Sequence, residues 1–120
     1  MTPENRLRIV EELAAAYTSA TKATEGGRTF IRLPKVHFPK GCSPSETSVL
    51  VVVDDGQPAP QLYVKQIPTL ANGRTPRSTS AVQLAGESWQ TFSFSQPWDE
   101  NTHTAVQFVE GRLRRFALSE

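Results

Sequence analysis

Ser48-Val49-Leu50-Val51-Val52-Val53 is the stretch from which the fold of this chain is read. Five consecutive apolar residues, most of them β-branched, favour a strand. A run with no polar alternation requires cover on both faces of its sheet. Asp54-Asp55-Gly56 is a turn signal, and Pro58 and Pro60 keep the adjoining residues extended. Gln61 to Gln66 alternates, with Leu62 and Val64 on one face and Tyr63 and Lys65 on the other, the pattern of a half-buried strand. Upstream, Thr29 to Leu33 reads as a strand broken by Pro34. Val36 to Phe38 continues it, and Pro39 ends it. These segments make three strands able to pair antiparallel.

Outward from this centre the period changes. Thr2 to Thr21 reads as a helix, with Thr2 as N-cap, Pro3 in the first turn and Glu4 at the positive end of the dipole. Leu7, Val10, Leu13, Ala14 and Tyr17 give its apolar stripe, and Gly26-Gly27 stops any continuation. A second helix is expected from about Thr102 to Leu118. Asp99, Glu100 and Asn101 precede it, Ala105, Val106, Val109, Leu113 and Phe116 form its stripe, and Arg112, Arg114 and Arg115 sit near its end. Gly111 weakens its middle by about 1 kcal/mol relative to alanine. Pro68 to Glu87 reads as a long irregular loop, opened by the turn signal Ala71-Asn72-Gly73. Trp89 to Phe94 reads as a short strand. The order implies an α+β domain: N-terminal helix, antiparallel strand meander, long loop, C-terminal helix.

The chain has 120 residues with 13 basic and 12 acidic side chains, a net charge of +1. One domain spanning 1–120 accommodates that length. So balanced a charge argues against a nucleic-acid partner held by counterion release. One cysteine makes no internal disulfide and supports no zinc cluster. No run of about 18 apolar residues occurs, so no membrane span is expected. With no signal-peptide pattern at the start, a soluble cytoplasmic protein is the expectation.

Few residues carry chemistry. Cys42 is the only thiol, in the loop Pro39-Lys40-Gly41-Cys42-Ser43-Pro44. Lys35 and Lys40 are placed to lower its pKa and His37 to act as a base, if the fold brings them to the sulfur. Set against this is a surface or partly packed cysteine with no role. His37 and His103 have no ligand-spaced partners, so no metal is expected. Asp54 and Asp55 are adjacent in a turn, where solvated carboxylates are expected rather than a catalytic dyad. No phosphate-cradling or nucleophile-elbow motif occurs, and no cofactor is implied. Arg74 and Arg77 with Arg112, Arg114 and Arg115 read as a dispersed surface. Trp89 reads as a core anchor, while Trp98, between Pro97 and Asp99, is open between core and partner contact.

Element order and short motifs together resemble the ubiquitin-conjugating enzyme superfamily. Ser48 to Val53, Asp54 to Pro60 and Gln61 to Gln66 resemble its third strand, proline-rich turn and fourth strand. Leu70-Ala71-Asn72-Gly73 stands where the family has His-Pro-Asn, and Pro97-Trp98 before a helix is similar to the tryptophan and helix beyond its active site. Phe38-Pro39-Lys40-Gly41 and Trp89-Gln90-Thr91-Phe92-Ser93 add a likeness to a bacterial branch. That branch is found beside ubiquitin-like proteins, activating enzymes and deconjugating proteases in defence-type gene clusters.

The chain departs from the family where the chemistry lies. The family's thioester cysteine follows His-Pro-Asn, yet Gly73 to Gly86 contains no cysteine, and no histidine precedes Asn72 in its motif. Thr75, Ser78, Thr79 and Ser80 do not replace it, because a hydroxyl needs an activating base and its ester transfers poorly to amines. The resemblance therefore implies a non-catalytic binding or accessory module in a bacterial ubiquitin-like conjugation pathway. Its partners would be a ubiquitin-like protein, a ubiquitin-activating-type enzyme or a catalytic homologue. An alternative makes Cys42 the thioester carrier, with Asn72 in the position of the family's oxyanion-stabilising asparagine. A further alternative is a small α+β adaptor unrelated to ubiquitin.

Overall fold

The computed structural model describes residues 3–54, 56–57, 59–75, 79–92, 104–114 and 116. Helix α1 (Pro3–Ala16) is followed by strands β1 (Thr21–Glu25), β2 (Arg28–His37), β3 (Glu46–Asp54), β4 (Gln61–Val64), β5 (Thr79–Leu84) and β6 (Glu87–Phe92), then helix α2 (Ala105–Arg114). The strands form one sheet in the order β1-β2-β3-β4-β6-β5, with every pairing antiparallel. The α+β class, the flanking helices and the antiparallel meander therefore stand.

Strand β3 organises the rest. Val49, Val51 and Val53 point to one face and join Ile9 and Leu13 of α1 and Phe108, Val109 and Leu113 of α2 in the main core. Leu50 and Val52 point the other way and pack with Phe30 and Trp89, under Tyr63, Val82 and Leu84. Each of the five is at most 2% exposed, and burying each side chain contributes about 1.5–3 kcal/mol. Both described helices lie on one side, and among the described residues the second face is covered by the sheet's own side chains. Arg32 on β2 reaches Glu87 on β6 at 2.6 Å. The two long side chains span the three strand spacings, about 14 Å, that separate β2 from β6. Strand β6 joins β4 through Val64 and Gln90, and Trp89 packs on the same sheet face as Leu50 and Val52. Arg32 and Lys65 lie over the Trp89 ring, 5.6 and 5.1 Å from its centroid.

Several sequence expectations are corrected. The first helix ends at Ala16, where Tyr17 N–H still donates to Leu13 but Ala20 N–H closes a turn on Tyr17. Thr18, Ser19 and Thr21 lose too much side-chain freedom, or compete too well for the backbone, to extend it. Thr21–Glu25 is instead an edge strand, and Gly26-Gly27 is its hairpin turn to β2. Leu7 is 56% exposed. It lies two positions, about 200° of helix rotation, from the buried Ile9, so the stripe centres on Ile9 and Leu13. Thr29 to Leu33 and Val36 to Phe38 are largely one strand. Its register slips between Leu33 and Val36, a bulge that takes up Pro34, which has no N–H for the ladder. Strand β4 stops at Val64. The expected loop from Pro68 to Glu87 contains β5, joined to β6 by Ala85 and Gly86, whose φ angles of 52° and 79° make a tight hairpin turn.

Helix α2 starts later than expected. Thr104 Oγ1 accepts from Gln107 N–H at 3.1 Å, and Gln107 Oε1 accepts from Thr104 N–H at 2.9 Å. This reciprocal capping box fixes the first turn. Glu12 of α1 accepts from Ala105 N–H at 3.1 Å, which brings a carboxylate of the other helix to this end. The expected residues Thr2, Phe94, Asp99 to His103 and Arg115, and Leu118 at the end of the expected second helix, lie outside the described residues. Thr104→Ala should destabilise the protein by about 1 kcal/mol and lower its midpoint by roughly 3–6 °C, measured by thermal unfolding. An unchanged midpoint would show that the box contributes nothing.

Candidate functional site

Two loops meet at one end of the sheet. The first leaves β2 at Phe38, whose N–H donates to Ser45, and tightens as Cys42 N–H donates to Pro39 at 3.2 Å. The second comes after β4. Ser43 and Thr69 exchange both backbone hydrogen bonds, at 2.9 and 2.8 Å, and lock the loops together. Gly41 has φ +95°, and a Cβ built on it would stand 2.6 Å from the Ala71 Cβ. Only glycine allows both that backbone conformation and that close approach.

The turn Leu70-Ala71-Asn72-Gly73 closes on itself. Gly73 N–H donates to Leu70 at 2.9 Å, and Leu70 N–H donates to Arg74 at 2.8 Å. Asn72 is exposed, and its Oδ1 accepts from Arg74 N–H at 3.0 Å. Its side chain holds the turn, as Asx residues commonly do.

The fold thus brings the Cys42 and Asn72 loops side by side but turns the two side chains to different surroundings. Cys42 is only 7% exposed and belongs to the main core. Its Sγ lies 3.6 Å from the Phe116 carbonyl, to which the thiol donates. Phe116 meets Phe38 edge-on, with ring centroids 5.3 Å apart. Burial pushes the Cys42 thiol pKa up, because the apolar surroundings penalise the thiolate. Lys35 and Lys40 are exposed and do not reverse this. His37 alternates with the buried Val36 and Phe38, so it points to solvent, with Nδ1 3.8 Å from Glu46.

The remaining candidates have structural places. Asp54 Oδ1 accepts from Gly56 N–H at 2.9 Å in the β3 turn, and Asp55 lies outside the described residues. Thr79 and Ser80 are on β5, where Ser80 shares a 2.8 Å hydrogen bond with Thr91. Thr75 is exposed. Trp89 is fully buried, and its Nε1 has no hydrogen-bond partner among the described residues. Ser78, Arg77, Pro97, Trp98 and His103 are not among those residues. Among the described residues no group of three His, Cys, Asp or Glu side chains is placed to hold a metal ion, and no helix is long and apolar enough to cross a membrane.

Two hollows flank the second half of β2. One, about 240 Å³, is lined by Val36, His37, Phe38, Glu110, Leu113 and Arg114. The other, about 510 Å³, lies between Ala16 to Ser19 and Pro34-Lys35. Beside the second, burial and the Glu110 carboxylate raise the Tyr17 phenol pKa. Neither hollow is lined by Cys42 or Asn72. The pairing of Ser43 with Thr69 has no signature in the sequence, since a two-residue bridge leaves no periodic signal. The Asn-Gly turn is visible there, and the role of Asn72 in it is the one that pair implies.

No family model, curated protein or solved structure matches the chain.

The raised Cys42 pKa has a sign that can be tested. An unfolded thiol ionises near its ordinary value of 9.0, while the folded thiol holds its proton to higher pH. The unfolded state therefore binds fewer protons above that value, and stability falls as pH rises through the window. The stability advantage of the native protein over Cys42→Ala should be constant at neutral pH and shrink above about pH 9, measured by denaturant unfolding. An advantage that grows with pH would place the thiolate in a favourable site instead.

Proposed function

We propose that this chain is a non-catalytic, ubiquitin-conjugating-enzyme-like protein, a binding or accessory module in a bacterial ubiquitin-like conjugation pathway of the antiviral-defence type. One observation carries the non-catalytic half: the only thiol is inside the core, hydrogen-bonded to Phe116, with its pKa raised. A thioester carrier needs an accessible thiolate. Transfer of an acyl group to Cys42 would put the C-terminus of a protein where Phe38, Leu70 and Phe116 now pack. The family half is supported by an N-terminal helix packed on one face of a β1-β2-β3-β4 meander, with a further helix on the same face. It is also supported by the Asn-Gly turn shortly after β4. A docking role has surface to use: Leu7 stands exposed on α1, and the sheet face opposite the helices carries Arg28, Arg32 and Lys65 over Phe30 and Trp89. The partner would be a ubiquitin-like protein, an activating-type enzyme or a catalytic homologue.

One finding favours the other reading, in which Cys42 carries a thioester. Its loop is tied to the loop that carries the Asn72 turn through Ser43 and Thr69. The two readings separate in a single reconstitution with the ubiquitin-like and activating proteins of the same gene cluster and ATP. The binding-module reading expects a non-covalent complex on size-exclusion chromatography that is retained by Cys42→Ser, with no adduct on non-reducing gels. A reductant-sensitive adduct lost in Cys42→Ser would overturn it.

A further inference from the structure

The two edges of the sheet are built differently. Strand β1 carries Lys22 and Glu25, and all five of its residues are exposed. Strand β5, the other edge, is Thr79-Ser80-Ala81-Val82-Gln83-Leu84, with no charge, no proline and no glycine. Its pairing with β6 is regular from Thr79–Phe92 to Leu84–Glu87, without a bulge. No strand pairs with its outer side among the described residues, and four of its six residues are exposed. Proteins usually blunt such an edge with charge, proline, a bulge or a covering segment, because free N–H and C=O groups in a flat row template another strand. None of the first three devices is present within β5 itself.

Val82 and Leu84 add a second observation. They lie on the same face as Trp89 and pack at the margin of the Phe30–Leu50–Val52–Trp89 cluster, only partly buried. That cluster therefore runs out at the open edge. Antiparallel pairing of two β5 strands about a two-fold axis at Val82 sets Val82 against its own copy, Ser80 against Leu84 and Ala81 against Gln83. Self-pairing brings each strand against its own chemistry, which a charged edge resists and an uncharged one permits. The net charge of +1 adds little repulsion between copies.

We infer that β5 is a self-association edge: two copies of this chain pair through β5, extending the sheet across both and joining their Trp89-side apolar clusters. This assignment is independent of the conjugation reading and survives its failure.

Sedimentation equilibrium of the full chain between about 5 and 500 µM tests it. The mass should rise with concentration from 13.3 kDa toward twice that value. The double variant Ala81→Lys with Gln83→Lys, both at exposed positions, sets introduced ammonium groups opposite one another across the axis. It should remain at 13.3 kDa with an unchanged far-ultraviolet spectrum. A wild-type mass that stays at 13.3 kDa throughout overturns the inference, as does a folded double variant that still doubles in mass. The second readout is oxidative crosslinking. Opposed residues have Cα atoms about 4.5–5.5 Å apart, so Val82→Cys should give a covalent dimer in high yield. Ser80→Cys places its sulfurs about 13 Å apart along the strands and should not. Equal yields at both positions would remove the proposed register and the interface with it.

Discussion

The requirement that β3 be covered on both faces shapes this molecule. A strand with apolar side chains on both sides cannot sit at the surface, and each uncovered side chain would forfeit about 1.5–3 kcal/mol. One face is met by the two helices. On the other, among the described residues, the sheet supplies its own cover, as Phe30 and Trp89 pack with Leu50 and Val52. On that face Glu87 lies against Arg32 and Lys65. Those charges are partly exposed and contribute at most about 1 kcal/mol each. The buried indole is the stronger tie across this face.

The same constraint of cover explains the two loops at the end of the sheet. Ser43 and Thr69 satisfy each other's backbone groups, Gly41 lets the two loops approach, and Cys42 and Leu70 fill the floor beneath. In this setting sulfur behaves as a small apolar atom with one weak donor. Asn72 likewise commits its oxygen to the turn. Two residues that suggest acyl-transfer chemistry in sequence are each engaged in holding the loops together.

How legible the fold is in the sequence depends on burial. The β3 run and the alternation of Gln61 to Val64 are plain because buried faces impose a period. The C-terminal helix is plain for the same reason, in Ala105, Val109, Leu113 and Phe116. Strand β1 is hidden because neither of its faces is covered, so Thr21 to Glu25 carries no pattern, and Gly26-Gly27 resembles a helix stop. Strand β5 is hidden inside an apparent loop because its half-buried Val82 and Leu84 are too few to read as alternation. A stripe drawn through Leu7 in place of Ile9 misplaces the buried face of α1. The candidate site is legible only as loop composition: the nearness of the Cys42 and Asn72 loops depends on pairing between residues far apart in the chain, which no local pattern encodes. The direction of the sulfur is set by packing against Phe116, likewise a long-range contact.

The place of that sulfur is tested most directly by its alkylation rate with iodoacetamide, monitored by intact-mass spectrometry in native buffer and in denaturant. A core thiol reacts only through opening of the fold, so the native rate should be slower by roughly 100-fold or more. Equal rates in the two conditions, or a native rate faster than that of the unfolded chain, would mean that Cys42 is presented to solvent and that the non-catalytic assignment is wrong.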